Sequence, residues 1–223
     1  ALRSDRRPVH LVNRGGGEVL GRRTVPSLRD IDGPVDLVVV TVPAAHFEPV
    51  IDDALAVGAR AICAITAGLG EIGEEGKARE AAVAAQVRAA GAVLVGPNCL
   101  GLVDNGAELY VSSDPFAPGG VALLSQSGNL ALELQQLLVR RGLGFSRFVS
   151  LGNQADVTLV DLVADCAHRS ASRVARTAGP SSGTTMPWAS TTSAAMVPCP
   201  PPSVSTATRC PCARPTSSPS RAR

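Results

Sequence analysis

Lysine is almost missing from this chain: Lys77 stands alone against twenty arginines. Such a ratio is what GC-rich coding gives. From His168 to Arg223 more is missing, with no Leu, Ile, Phe or Tyr and no Asp, Glu or Lys. A segment so poor in large apolar side chains buries too little surface to offset the entropy of ordering. Residues 167–223 are therefore expected to form a disordered, low-complexity tail. Its Ser, Thr, Pro, Ala, Arg and Cys are also what GC-rich DNA yields when read out of frame, and that origin is a further expectation. The tail's seven arginines are unopposed, so the net charge of +2 hides a basic end on a body of about −5. These arginines are scattered rather than interleaved with a series of aromatics, which argues against nucleic acid as a partner.

Long apolar runs are absent too, so no membrane span is expected. Ala1 to Pro8 is charged and lacks the apolar core of a secretory leader. The six cysteines make no framework. Cys63, Cys99 and Cys166 lie far apart, and the pair Cys210 and Cys212 has no second pair or nearby His to complete a zinc set. Free thiols and a cytoplasmic location are the expectation, with no metal site.

What is there is an alternation of strands and helices. Val9–Val12 reads as a strand and Asn13–Gly17 as the loop after it. Val35–Val42 is a nearly continuous β-branched run, as in strands buried on both faces of a parallel sheet. His46–Val57 has helical spacing, with Phe47, Val50, Ile51, Ala54 and Leu55 on one face. A strand at 61–66, a helix at 74–90 and a strand at 93–95 repeat the pattern. Residues 101–119 read as a linker, with a short strand at 109–111. A second unit then starts: strand 120–124, turn 125–128, helix 129–141, strand 145–150, and a helix opening near Leu159.

In open α/β sheets, ligands bind beyond the carboxyl ends of the strands. That rule selects the loops at 13–17, 42–46, 66–70 and 96–101. Ser125-Gln126-Ser127-Gly128 stands between a strand and a helix, where two hydroxyls and free N–H groups make either an anion site or an ordinary N-cap. The G-x-S-x-G spacing of a nucleophile elbow is absent. His10 and His46 read as structural, and Cys99 as a small buried residue in preference to a nucleophile.

Gly96-Pro97-Asn98-Cys99-Leu100-Gly101, followed by Gly120-Val121-Ala122-Leu123-Leu124-Ser125-Gln126-Ser127-Gly128, resembles the NDP-forming acyl-CoA synthetases, relatives of the succinyl-CoA synthetase alpha subunit. Val12-Asn13, Val42-Pro43 and Ile65-Thr66-Ala67-Gly68 fall in the family's order, and the likeness covers roughly residues 8–165. Arg14 stands where the family's pattern has Pro. The resemblance implies an α/β fold: a partial CoA-binding Rossmann-like domain (1–100), the linker (101–119), the start of a flavodoxin-like ligase domain (120–166), and the tail. It implies that Asn13, Val42, Pro43, Thr66 and Gly68 line a coenzyme A site, with Asn98 and Cys99 near its thioester end. It implies that Ser125, Ser127 and Gly128 hold a phosphoryl group.

The family joins a carboxylic acid to CoA with ATP and Mg²⁺ through a phosphohistidine. A first strand with its Gly-rich loop, the phosphorylated His and the ATP-grasp region find no match in this chain. The expectation is a fragment truncated at both ends, without catalytic residues of its own. It is expected to be inactive alone, weak toward CoA, and dependent on an ATP-grasp subunit or domain. The sheet is expected to lack its first strand. The alternative is a non-enzymatic CoA- or nucleotide-binding module. A plain NAD(P)-binding domain is disfavoured, since no G-x-G-x-x-G follows a first strand.

Overall fold

The computed structural model describes residues 7–166 and the backbone of residues 194–197. The expected disorder of 167–223 thus lies outside the described residues, except at that four-residue stretch. Strand β1 (Val9–Leu11) leads through a small ribbon, β2 (Glu18–Val19) paired antiparallel with β3 (Arg22–Arg23), to β4 (Leu37–Val40). Then come helix α1 (Phe47–Ala56), β5 (Ala61–Ala64), α2 (Glu74–Ala89) and β6 (Val93–Val95). β4 pairs parallel with β5, and β5 with β6. All four residues of β4 and all four of β5 are buried, as the β-branched run requires.

Helix α1 buries the face its spacing marks, with Phe47, Ile51 and Ala54 enclosed and Val50 and Leu55 packed at the margin. Burying side chains of the size of Phe47 or Ile51 stabilises by roughly 1.5–3 kcal/mol each. α2 turns Gly76, Glu80, Val83, Ala84 and Val87 inward. Gly76 is there for closeness: a Cβ on it would stand 1.9 Å from the Leu69 carbonyl oxygen. α2 therefore lies hard against the loop after β5. Arg79 on α2 grips Glu48 on α1 through two hydrogen bonds, of 2.6 and 2.9 Å, and the Ala44 carbonyl at 2.8 Å.

The expected linker is corrected by the structure. Residues 101–119 hold β7 (Leu102–Asp104) and β8 (Leu109–Val111), which join β9 (Pro118–Ser125) and β10 (Phe145–Ser150) in one sheet ordered β8-β7-β10-β9. The Gly, Asn, Asp and Pro content that suggests a linker belongs to the tight turns of a two-stranded excursion. The strands themselves are apolar: Leu102, Val103, Leu109 and Val111 are buried. β9 and β10 are parallel, connected by α3 (Gly128–Arg140), while β7 runs antiparallel to β10. A last helical stretch covers 159–166. One apolar cluster joins the two units, with Val39, Cys63 and Val95 from the first and Leu102, Val149 and Leu151 from the second.

The expectation of a lost strand also meets a finding. β1 and β4 are not neighbours. Between them runs β11 (Ala194–Val197), parallel to both, so the sheet reads β1-β11-β4-β5-β6.

Near the other end of the second sheet, Arg147 on β10 bonds Asp104 on β7 and Asp165 in the last helical stretch, each at 2.9 Å. All three side chains are nearly enclosed, at 14%, 5% and 8% exposure. Removing one partner from such a group strands buried charge. Arg147→Met is expected to lower unfolding stability by about 3 kcal/mol, read as a shift in the urea midpoint. The Arg79 hydrogen bond holds the Glu48 carboxyl below its ordinary value, against a smaller upward push from burial. A depressed carboxylate stabilises above its unfolded pKa, and that contribution is lost as pH falls through its folded one. Acid titration of stability should therefore flatten in Glu48→Gln, and an unchanged acid limb would contradict this.

Candidate functional site

Parallel strands put their carboxyl ends on one edge, so the tips of β1, β4, β5 and β6 face the same side. Three of these tips are bonded together. The Thr66 hydroxyl donates to the Val42 carbonyl at 2.8 Å, and the Asn98 N–H donates to the Thr66 carbonyl at 2.8 Å. Val42 and Pro43 follow β4, Thr66 and Gly68 follow β5, and Asn98 follows β6. Gly68 has φ +90°, a left-handed backbone that favours glycine, and a Cβ on it would come into ordinary contact with that of Ala44 in the β4 loop. The chain after β10 joins the same group: the Asn153 N–H donates to the Pro97 carbonyl at 2.9 Å and the Ala155 N–H to that of Gly96 at 3.1 Å.

Two carboxylates hold the loop after β5. Glu71 accepts from the N–H of Gly68 and, at 3.2 Å, from that of Leu69. Glu80, buried on α2, accepts from the Gly70 N–H at 2.7 Å. The Asn153 amide donates to both, at 2.7 Å to Glu71 and 2.5 Å to Glu80, and its oxygen accepts from the Asn98 amide at 3.1 Å. Burial pushes the Glu71 carboxyl up, but the donors on Gly68, Asn153 and Leu69 outweigh it and leave it below its ordinary value. Glu71, Glu80 and Asn153 are not among the residues selected from sequence. The strand-tip rule reaches Asn153, which follows β10, once β10 is counted with the others; Glu80 sits mid-helix and gives no such signal.

The turn after β9 lies against this group. Ser127 is the N-cap of α3, its hydroxyl accepting from the Leu130 N–H at 3.4 Å. Ser125 donates to the Ser127 carbonyl at 2.7 Å. Gly128 is pinned by Leu100, whose side chain would stand 2.4 Å from a Cβ there. Gly152 and Gln126 exchange hydrogen bonds, both at 3.2 Å. Both serine hydroxyls are thus engaged within the turn, the N-cap geometry among the two readings of this motif.

Two selected residues stand apart. Asn13, at the tip of β1, turns its side-chain oxygen onto the Gly15 N–H at 3.0 Å, closing its own loop. β11 separates it from the tip of β4. Next along the ribbon is an open depression lined by Gly17, Glu18, Arg23 and Thr24. Cys99 points away from the tips into the core: its thiol lies 3.2 Å from the Ala64 carbonyl and 3.9 Å from the Cys63 sulfur. The contact with Cys99, together with burial, pushes the Cys63 thiol well up. His46 is exposed at the start of α1, and His10 lies half-buried on β1. Among the described residues, no group of three His, Cys, Asp or Glu is placed to hold a metal, and no helix is long and apolar enough to cross a membrane.

Comparisons with known proteins give this edge a setting. Residues 1–105 match the model of a CoA binding domain, and residues 118–177 that of a succinyl-CoA ligase like flavodoxin domain. The chain is 35% identical over 156 residues to the alpha subunit of acetate–CoA ligase [ADP-forming] II of Pyrococcus furiosus, covering 70% of this chain and 34% of that one. It is 33% identical over 163 residues to the acetate–CoA ligase [ADP-forming] of Methanocaldococcus jannaschii, covering 70% and 22%. Among solved structures it resembles the dinucleotide forming acetyl-coenzyme A synthetase 1 of Ca. Korarchaeum cryptofilum in complex with phosphate and ADP. There the TM-score is 0.64 at 32% identity, over 69% of this chain and 33% of that one. The chain thus spans about a third or less of the length of these relatives. Two domain models in the family's order, on a parallel sheet with bonded tips, support one conclusion: the chain belongs to the NDP-forming acyl-CoA synthetases.

Proposed function

We propose that this chain is the CoA-binding portion of an acid–thiol ligase, and that the bonded tips of β4, β5 and β6 are where CoA docks. The carrying observation is the chain of hydrogen bonds from Val42 through Thr66 and Asn98 to Asn153. It fixes four strand-tip segments at one edge, leaving little to reorganise on binding. One polar group there still needs a partner. The Thr41 hydroxyl, at the end of β4, is enclosed without a hydrogen bond among the described residues. An unpaired enclosed hydroxyl costs about 1–3 kcal/mol, and a ligand or a further segment of chain over the tips would relieve it. On this reading Val42, Pro43, Thr66 and Gly68 line the pantetheine arm, and Asn13 and Asn98 lie at its two ends. Cys99 packs beneath the site instead of touching the thiol. Ser125, Ser127 and Gly128 lie beside the tips, where the α3 N-terminus attracts a phosphoryl group.

Affinity for CoA is expected to be modest. In doubly wound sheets the phosphates sit on amides after a central strand. The family's Gly-rich phosphate loop finds no match in this chain's sequence. Calorimetric titration should give saturable CoA binding that Gly68→Val weakens at least tenfold, because the left-handed backbone is lost and the new methyls meet Ala44. Equal binding by the variant would remove the β5 loop from the site.

We further propose that turnover belongs to a larger assembly. That assembly would join a small carboxylic acid to CoA with ATP and Mg²⁺ through an ATP-grasp subunit or domain, in the cytoplasm. Neither described histidine lies in a Gly-rich turn beside an orienting carboxylate, so no residue here is assigned to carry a phosphoryl group. The purified chain with acetate, CoA, ATP and Mg²⁺ should yield no acetyl-CoA above a mock preparation, and turnover above that level would overturn this division of labour.

A further inference from the structure

Side chains shape the β5 loop at Gly68, Leu69 and Gly70. Its three N–H groups donate to carboxylates, those of Gly68 and Leu69 to Glu71 and that of Gly70 to Glu80. Glu71 is exposed, while Glu80 is buried on α2 at 7% exposure. Among the described residues, the hydrogen bonds these two carboxylates accept come from neutral donors: the three loop N–H groups and the Asn153 amide. A carboxylate has no proton to give, so the Asn153 nitrogen must face the pair and its oxygen is left for the Asn98 amide. Asn153 is the donor that Glu71 and Glu80 share, and it belongs to the second unit. Without it two negative charges face one another, one of them enclosed. Such a pair draws in water or moves apart, and the loop bonded to it moves too.

Asn153 itself has little freedom. Its backbone N–H donates to the Pro97 carbonyl at 2.9 Å. Gly152 before it has φ +57°, and a Cβ there would stand 2.1 Å from the Pro97 carbonyl oxygen. On the other side, the Leu151 N–H donates to the Ser125 carbonyl at 2.8 Å and the Gly152 N–H to that of Gln126 at 3.2 Å. The turn before α3 and the loop after β5 are thus joined through Leu151, Gly152 and Asn153.

We propose that Asn153 is a positioning residue for coenzyme A: by donating to Glu71 and Glu80 it clamps residues 68–70 in binding shape, so that CoA affinity depends on contact between the two units. This rests on the CoA reading above. Linkage makes the dependence reciprocal, so CoA seated at the loop tightens residues 151–153 onto the turn at 125–128.

Asn153→Asp keeps the size of the side chain and the oxygen that receives Asn98, and replaces the shared donor with a third carboxylate. In this variant hydrogen exchange of the Gly68, Leu69 and Gly70 amides should speed about tenfold while Phe145–Ser150 keeps its protection. The calorimetric Kd for CoA should rise about tenfold, the scale of one hydrogen bond to a buried charge. Adding Glu80→Gln returns a donor from the opposite side, so the double variant should bind CoA about threefold tighter than Asn153→Asp alone. Two merely structural defects would add and give no such rescue. A double variant no better than the single one, or Asn153→Asp binding like the intact chain, would overturn the proposal. Should Asn153→Asp fail to fold, the intact chain decides: saturating CoA should slow exchange of the Leu151 and Gly152 amides about threefold, and rates unchanged by bound CoA would overturn it. If the intact chain binds no CoA, the CoA reading fails and exchange alone judges the clamp. Faster 68–70 amides in Asn153→Asp, recovering in the double variant, uphold it, and unchanged rates overturn it.

Discussion

A central strand in a parallel sheet has two rows of backbone donors and acceptors, and both must be paired. β4 carries that obligation here. Its four residues are buried on both faces, β5 satisfies one row, and β11 satisfies the other. The loop that begins at Thr41 starts from the end of this strand, and Val42 accepts the Thr66 hydroxyl that ties the β5 loop in place. The order of dependence runs from backbone pairing at β4, to the relative height of the strand tips, to the hydrogen bonds among those tips. A site built this way inherits its geometry from the sheet, and little of it is set by the loops themselves.

A second constraint comes from the other unit. Asn153 follows β10, yet its amide supports Glu71 and Glu80 on the first unit and its oxygen receives Asn98. The shared apolar cluster beneath explains why this contact keeps its geometry: Val149 and Leu151 pack with Val39 and Cys63 a few residues below. Cys99 belongs to that packing. A thiol wedged between Ala64 and Cys63 keeps the Gly96–Gly101 loop down on β5, which is a positional role and needs no nucleophile.

Sequence periodicity was sufficient wherever a residue's fate depends on near neighbours. The β-branched run at 35–42, the Phe47 face of α1 and the Gly-bounded limits of α2 all carry their signal locally, and each element stands within two residues of its expected bounds. The strand-tip rule also selected Val42, Thr66, Gly68 and Asn98, which the parallel sheet brings to one edge. What stayed hidden depends on distant partners. β7 is a strand because β10 pairs with it across some forty residues, and its turn-rich flanks gave the opposite local signal. Glu80 reads as a solvent-facing helix residue until α2 is pressed against the Leu69 loop, where Gly76 permits a contact no pattern announces.

The 194–197 strand is the sharpest case of the same effect. By composition, Ala-Ala-Met-Val in a Ser- and Pro-rich stretch has no strand tendency to speak of. Its conformation goes with its neighbours: β1 and β4 pair with it on either side in parallel register. A backbone ladder selects for length, extension and absence of proline, and only weakly for side-chain identity. The strand tendency of such a tetrapeptide is therefore a property of its neighbours' backbone and gives little signal in its own side chains.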